Sequence, residues 1–345
     1  MKAFVYNGDK NFRIEDREKP SASKDTAVIK IEAASICGTD VRTYANGNPK
    51  ITPGRIIGHE CCGRIVEIGR EVPGFALGDR VQIAPAIGCG VCRPCQKGHT
   101  NMCDHLRTIG FEFDGVFAEY MEIPADAFHQ GNVNKVNEHV TANEAALAEP
   151  MACAYNAQQI CNIKEGDTVA VFGSGFIGCS HAELAFAAGA SKVMMMEVSD
   201  FRIRQARELI PDIIVINSKT ENCYDRIMEE TDGNGADVVI TACSVGQVHT
   251  DALKIAAKHG RISLFGGIPG DGKGFLDSND IHYKELGVFG VHASTSRQNR
   301  EILEKIARRQ LQPEKYITKE YPLEEILEAF DHLKAGRILK AIIHP

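Results

Sequence analysis

Apolar and polar positions along the chain follow two different patterns. From residue 1 to about 81, short alternating runs are broken by Gly, Pro and Asp. Ala27-Val28-Ile29-Lys30-Ile31 and Gly63-Arg64-Ile65-Val66-Glu67-Ile68-Gly69 predict strands, and the region reads as a β-barrel-like domain. Alternation returns at 115–123. Thr141-Ala142-Asn143-Glu144 then fits a capping box that opens a helix, with Glu149 near that helix's end. Beyond about residue 151, strands alternate with helices. Asp167-Thr168-Val169-Ala170-Val171-Phe172 predicts a buried strand, residues 179–188 an Ala-rich helix, and Lys192-Val193-Met194-Met195-Met196 a second strand. Further strands are expected at 212–217, 236–242, 260–265 and 286–291, with 247–258 helical, which together predict a doubly wound parallel sheet. Near residue 290 the chain should return to its first domain. Leu323, Ile326, Leu327, Phe330 and Leu333 repeat at helical spacing and are assigned to the core, and 339–343 to a closing strand. The expected domains are 1–150 with 290–345, and 151–289.

The first buried strand of the second domain runs into Gly173-Ser174-Gly175-Phe176-Ile177-Gly178, and a helix follows. In that setting the first glycine permits a tight turn and the second lets a pyrophosphate approach the backbone. The third lets helix and strand pack closely, while the helix N-terminus favours the phosphate charge. Glu197, at the end of the next strand, suits the ribose hydroxyls and repels a 2′-phosphate, so NAD is expected over NADP. Arg202, five residues on, is a group that could hold such a phosphate.

Metal chemistry is signalled in two places. Cys89, Cys92 and Cys95 follow at two-residue gaps and Cys103 comes seven residues later, which lets four thiolates wrap one ion. The last gap and the single cysteine set favour a closed four-cysteine zinc over an iron–sulfur cluster. The second signal is Gly58-His59-Glu60, where an imidazole and a carboxylate are adjacent. Neighbouring side chains on a strand point to opposite faces, so both reach one ion only if Gly58 or a bend intervenes. Cys37, at a strand-to-turn junction, and Glu149 complete a candidate set from three elements that leaves a fourth position open, as a catalytic zinc requires.

At 345 residues, 43% hydrophobic and 25% charged, the chain suits a two-domain soluble enzyme. A net charge of −7 without a basic block argues against nucleic acid as a partner. No run reaches the length of a membrane span, and the opening apolar run is too short for a signal peptide. Twelve cysteines without a leader point to a reducing compartment, the cytoplasm. Cys61, Cys62, Cys153, Cys161, Cys179, Cys223 and Cys243 are assigned as small apolar residues.

Gly58-His59-Glu60, Gly63, Gly69, Val72 and Gly78-Asp79-Arg80-Val81 resemble the signature of the zinc-dependent medium-chain alcohol and polyol dehydrogenases, and the likeness runs over essentially the whole chain. Glu149-Pro150, where many alcohol dehydrogenases carry cysteine, resembles the sorbitol (polyol) branch. The resemblance implies a GroES-like β-barrel catalytic domain joined to a Rossmann domain, two zinc ions per chain, NAD, a small alcohol substrate and a homo-oligomer, dimer or tetramer. It implies that the lobe at about 89–103 is structural, and that Cys37 and His59 hold the catalytic zinc while Glu60 and Glu149 compete for the third place. It also implies that Thr39 passes the alcohol proton toward solvent, although Arg42 stands where many relatives place the next relay histidine. In the polyol branch an arginine beside the ribose acid lies by the adenosine, which keeps the reading of NAD despite Arg202. Phe265, Gly266, Gly267, Val291 and His292 fall where the family's backbone meets the nicotinamide amide. The reading is therefore an NAD-dependent zinc dehydrogenase of a polyol, phosphorylated or not. A 3-hydroxy amino acid dehydrogenase of the threonine type is the alternative enzyme, and an inactive NAD-binding structural or sensor protein the alternative of another class.

Overall fold

The alternating run of the first domain is realised as the nine-residue strand Ala27–Ser35, which pairs antiparallel with Glu60–Ile68, Tyr120–Ile123 and Ala341–His344. The computed structural model describes residues 1–268, 270 and 272–345. The chain divides into two units, Met1–Ala152 with Ala293–Pro345, and Cys153–His292.

In the first unit, one sheet has the order Val133–Lys135, Arg80–Ile83, Glu60–Ile68, Ala27–Ser35, Ala341–His344 and Lys319–Pro322, with Tyr120–Ile123 also paired to Ala27–Ser35. A second sheet joins Phe12–Asp16, Lys2–Tyr6 and Arg55–Ile56. The core between these elements contains Phe4, Ile29, Ile57, Ile65, Phe117, Met121 and Phe330. The C-terminal stripe behaves as its spacing predicts at Leu323, Ile326 and Phe330, which are buried, and Leu333 packs against the same core. Leu327 departs from the expectation and stays 39% exposed, because it lies on the outer side of the helix Ile326–Lys334.

The second unit holds six parallel strands. In chain order they are β1 (Thr168–Phe172), β2 (Lys192–Glu197), β3 (Ile214–Asn217), β4 (Ala236–Thr241), β5 (Ala256–Leu264) and β6 (Gly287–Gly290). They are arranged β3-β2-β1-β4-β5-β6. This is the doubly wound order in which dinucleotides bind at the C-terminal strand ends, where the order reverses beside β1. The strands expected at 167–172 and 192–196 are found as Thr168–Phe172 and Lys192–Glu197, near-continuous buried runs in a parallel sheet. The helix expected at 247–258 is Gly246–Ile255, and its last residues instead open β5, where Ala256 pairs with Ala236 ahead of a register shift. Pairing to a neighbouring strand has overridden the helical propensity of Ala256-Ala257-Lys258.

One expectation about Glu149 needs correction. The capping box at Thr141 and Glu144 is present, but its helix is only Ala142–Ala146. A new helix, Ala148–Cys161, begins immediately, so Glu149 stands in a first helical turn and not at a helix end. Pro150 accounts for the break, because proline lacks a backbone N–H and is tolerated only in the first turn of a helix.

Candidate functional site

Gly58 has φ of +91°, and a Cβ there would lie 2.8 Å from the Phe117 ring, so only glycine fits. The turn it permits ends just before the strand Glu60–Ile68, so His59 lies outside the strand and Glu60 is its first residue. The alternation that would have separated the two side chains therefore does not apply. Cys37 arrives from the end of the neighbouring strand as the N-cap of the helix Gly38–Asn46. Its sulfur accepts from Thr39 N–H at 3.4 Å, at a helix end that favours negative charge. One ligand atom each from Cys37, His59 and Glu60 lies within 4.8 Å of the others.

The electrostatics of this group suit a cation. Burial pushes His59 toward its neutral form, yet the negative charges of Asp40, Cys37 and Glu149 outweigh that and raise its pKa well above the ordinary value. His59 Nδ1 lies 3.6 Å from Asp40 Oδ1, beyond hydrogen-bond distance, and is buried with no hydrogen-bond partner. Asp40 is itself buried, which raises its pKa, and accepts from Cys37 N–H at 3.0 Å. Glu60 is fully buried; its Oε2 accepts from Lys340 Nζ at 2.6 Å and from the Ser35 hydroxyl. Its Oε1 is buried with no hydrogen-bond partner. An unpaired buried carboxylate oxygen beside a thiol and an imidazole is a donor set for a borderline-soft divalent ion such as zinc. Glu149 stands outside this closest set, is 6% exposed, and makes its charge felt at His59.

Thr39 Oγ1 accepts from Arg42 Nη2 at 2.9 Å. The Phe111 ring lies 6.2 Å from His59, centroid to centroid, and forms an apolar wall beside the group. Asp40, Ser35, Lys340 and Phe111 were not among the residues singled out from the sequence. Asp40 had a signal in its Cys-Gly-Thr-Asp spacing, and Phe111 in the aromatic run Gly110-Phe111-Glu112-Phe113.

The second sulfur group is self-contained. The four ligand atoms of Cys89, Cys92, Cys95 and Cys103 lie within 4.8 Å of one another. Backbone N–H groups point at the sulfurs: Cys92 to Cys89 at 3.4 Å, Cys89 to Cys103 at 3.1 Å and His105 to Cys103 at 3.2 Å. Amide bonds from Val91 and Cys92 pull Cys89 down to about 6, while burial pushes Cys95 up to about 12 and raises Cys103. Four crowded sulfurs cannot all ionise without a cation, and tetrahedral thiolate coordination supplies one.

The dinucleotide loop is built as its glycines require. A Cβ on Gly178 would lie 1.9 Å from the Gly173 carbonyl oxygen, so the helix Phe176–Ala187 could not approach β1 with any side chain there. A Cβ on Gly175 would meet nothing within 4 Å, so the space beside the start of the helix is open, and no side chain caps that helix end. That is the cradle a pyrophosphate occupies. Phe176 is buried and Ile177 half-buried on this helix.

Glu197 does more than end β2. Its Oε2 accepts from Ser174 N–H at 2.9 Å, and its Oε1 from Val198 N–H at 2.7 Å and Ser199 N–H at 2.9 Å. Burial alone would raise its pKa, but these bonds and the charge of Arg202 hold it below the ordinary value. Arg202 Nη1 is 3.9 Å from Glu197 Oε2, so its charge is set against that carboxylate. Gly266 donates to Thr241 C=O at 2.7 Å at the end of β4, Gly267 is open, and Phe265 packs edge-on to His181 at 4.9 Å. Val291 and His292 follow β6, half-buried and exposed respectively.

His181 is fully buried one turn into the helix that follows the loop, and burial drives its pKa down to about 3. A histidine neutral in the folded chain and ordinary in the unfolded one contributes stability that is complete above about pH 6.5 and lost as pH falls toward 3. By pH 5 the loss is about 2 kcal/mol, and His181→Gln should flatten the decline. Denaturant unfolding at pH 7 and pH 5 measures this, and equal slopes for both proteins would contradict it.

The chain matches two family descriptions, "Alcohol dehydrogenase GroES-like domain" over residues 23–135 and "Zinc-binding dehydrogenase" over residues 177–308. It is 33% identical to an L-threonine 3-dehydrogenase of Pyrococcus abyssi, over 94% of this chain and 92% of that one. It is 29% identical to a sorbitol dehydrogenase of Halalkalibacterium halodurans, over 100% and 99%. Among solved structures, a zinc-binding dehydrogenase of Sinorhizobium meliloti 1021 bound to NADP superposes with TM-score 0.93 at 29% identity, covering 100% of this chain and 99% of that one. An alcohol dehydrogenase of E. coli CFT073 complexed with NADH superposes with TM-score 0.91 at 27% identity, with the same coverage. Among the described residues, no helix is long and apolar enough to cross a membrane.

Proposed function

The chain belongs to the zinc-dependent medium-chain alcohol dehydrogenase family, and from that premise we propose that it oxidises the secondary alcohol of a polyol with NAD. The observation that carries the reading is the donor group of Cys37, His59 and Glu60, with Glu60 Oε1 buried and unpaired. Zinc held there would lower the pKa of an alcohol oxygen, and the nicotinamide of a dinucleotide cradled at the Gly173–Gly178 turn would accept the hydride.

The chain's own residues do the positioning. Cys37 and Glu60 supply negative donors, and His59, beside Asp40, supplies a neutral nitrogen. Glu149 supplies an acid placed to accept a proton or hold a water, and Phe111 keeps one side of the group apolar. Thr39 is the hydroxyl nearest Cys37 in sequence, and its oxygen already accepts from Arg42. Its second lone pair is left to accept the proton of the substrate alcohol, while its own hydrogen is the one passed on. A guanidinium is permanently protonated and cannot accept a proton. A proton that reaches Thr39 thus leaves by a route other than Arg42, whose charge instead favours negative charge on the Thr39 oxygen. Glu197 receives the ribose hydroxyls and Arg202 lies beside it, which supports NAD over NADP.

Polyol and threonine dehydrogenases are about equally similar to the chain, so the preference for a polyol rests on Glu149-Pro150. A panel of sugar alcohols, their phosphates and L-threonine, assayed with NAD at matched zinc, decides between them. The expected result is at least tenfold higher kcat/KM for a polyol or polyol phosphate than for L-threonine, a difference of about 1.4 kcal/mol in transition-state binding. The reverse order would assign the amino acid substrate.

A further inference from the structure

Glu60 is chained in sequence to His59, yet the group that fixes its orientation comes from 280 residues away. The strand Ala341–His344 pairs with Ala27–Ser35, Ile342 opposite Ser35, and Ser35 in turn lies opposite Glu60 on the next strand. Three adjacent strands therefore bring Lys340, Ser35 and Glu60 together. Lys340 is 4% exposed and donates to the Ile36 carbonyl at 2.9 Å and to Glu60 Oε2 at 2.6 Å; the Ser35 hydroxyl donates to the same oxygen. Only Oε1 is left, and Glu60 is one of three donors drawn within 4.8 Å.

We infer that Lys340 is a positioning residue for the metal centre: it clamps one Glu60 oxygen and so presents the other, as a single donor, toward Cys37 and His59. This rests on the reading that Cys37, His59 and Glu60 hold the metal. The charges around the group are lopsided without Lys340, because Cys37, Glu60, Asp40 and Glu149 are acidic, while the basic side chains beside them are His59 and Arg42, the latter bonded to Thr39. A buried carboxylate released from its ammonium partner would turn both oxygens toward other donors, and the geometry offered to the ion would loosen. Groups that orient a metal ligand typically contribute about 10- to 100-fold to metal affinity.

The test uses purified full-length protein and measures zinc affinity by chelator competition. It also records the visible spectrum after cobalt is exchanged into the Cys37 site, with the Cys89–Cys103 metal as internal control. Lys340→Met should weaken the Cys37-site affinity about 10- to 100-fold and shift the cobalt spectrum, leaving the control site unchanged. In a Glu60→Gln background the same substitution should add nothing, because Lys340 acts through Glu60. Unchanged affinity in folded Lys340→Met, or equal further loss in the Glu60→Gln background, would overturn the inference. A merely structural lysine would lower the unfolding temperature without moving either metal readout. If Lys340→Met alone fails to fold, comparing Glu60→Gln with the double variant decides: equal zinc affinity supports the clamp and weaker affinity overturns it. Cys37→Ser separates the two readings, because retention of both metals in that variant would sink the metal-centre assignment itself.

Discussion

His59→Asn should lower turnover by about three orders of magnitude while the protein stays folded and keeps one of two zinc ions. Lewis-acid stabilisation of a developing alkoxide is worth several kcal/mol, and each ~1.4 kcal/mol is a factor of ten. The loss is expected to fall on kcat, because the interaction it removes strengthens only as charge develops on oxygen. The fold should survive because His59 lies in a loop before the strand Glu60–Ile68 and contributes no ladder bond. The Cys89–Cys103 lobe supplies its own ligands and should keep its metal. Steady-state kinetics with metal analysis on the same sample checks this. A variant with one zinc and full turnover would remove His59 from the mechanism.

Glu197 is the other position where a single substitution should have a large effect. On charge alone, removing this acid only relaxes selectivity toward NADP. Its two oxygens, however, also tie down the N–H groups of Ser174, Val198 and Ser199. Glu197→Ala strips the Ser174 turn of its anchor as well as removing the proposed ribose acceptor. Hydrogen bonds to a charged group contribute about 1.5–3 kcal/mol, so NAD affinity should fall on the order of 100-fold. NADP should gain no compensating affinity, since the Ser174 turn serves both cofactors. Titration of each dinucleotide by fluorescence tests it, and an unchanged NAD affinity would show that Glu197 is not the ribose acceptor.

What could be read in the sequence follows from how local each signal is. The Cys89–Cys103 cluster and the Gly173–Gly178 turn announce themselves because the chemistry depends on spacing within one loop. The central parallel strands announce themselves as buried apolar runs. Helix ends were less legible: Ala256-Ala257-Lys258 reads as helix but is captured by β4, and Pro150 stands in the first turn of a new helix where the pattern around Glu149 suggested an end. Lys340 was out of reach, because a lysine inside the expected closing strand 339–343 looks like a surface residue until the register of three strands, with the observed strand starting at Ala341, places it over Glu60. Asp40 is similar, doubling as a helix-capping residue and as the carboxylate that faces His59.

Everything proposed for the reaction depends on the Cys37 group holding an exchangeable zinc needed for alcohol oxidation, separate from the closed Cys89–Cys103 zinc. A graded chelator titration puts this to the test, following NADH formation from the best substrate, zinc content and circular dichroism on one sample. Catalytic sites keep an open position and structural sites do not, so the first zinc removed should come from the Cys37 group. Activity should disappear with that first zinc while the circular dichroism spectrum is unchanged, and return when zinc is added back. Activity that persists after the first zinc has left, or that vanishes only together with the fold, would contradict it.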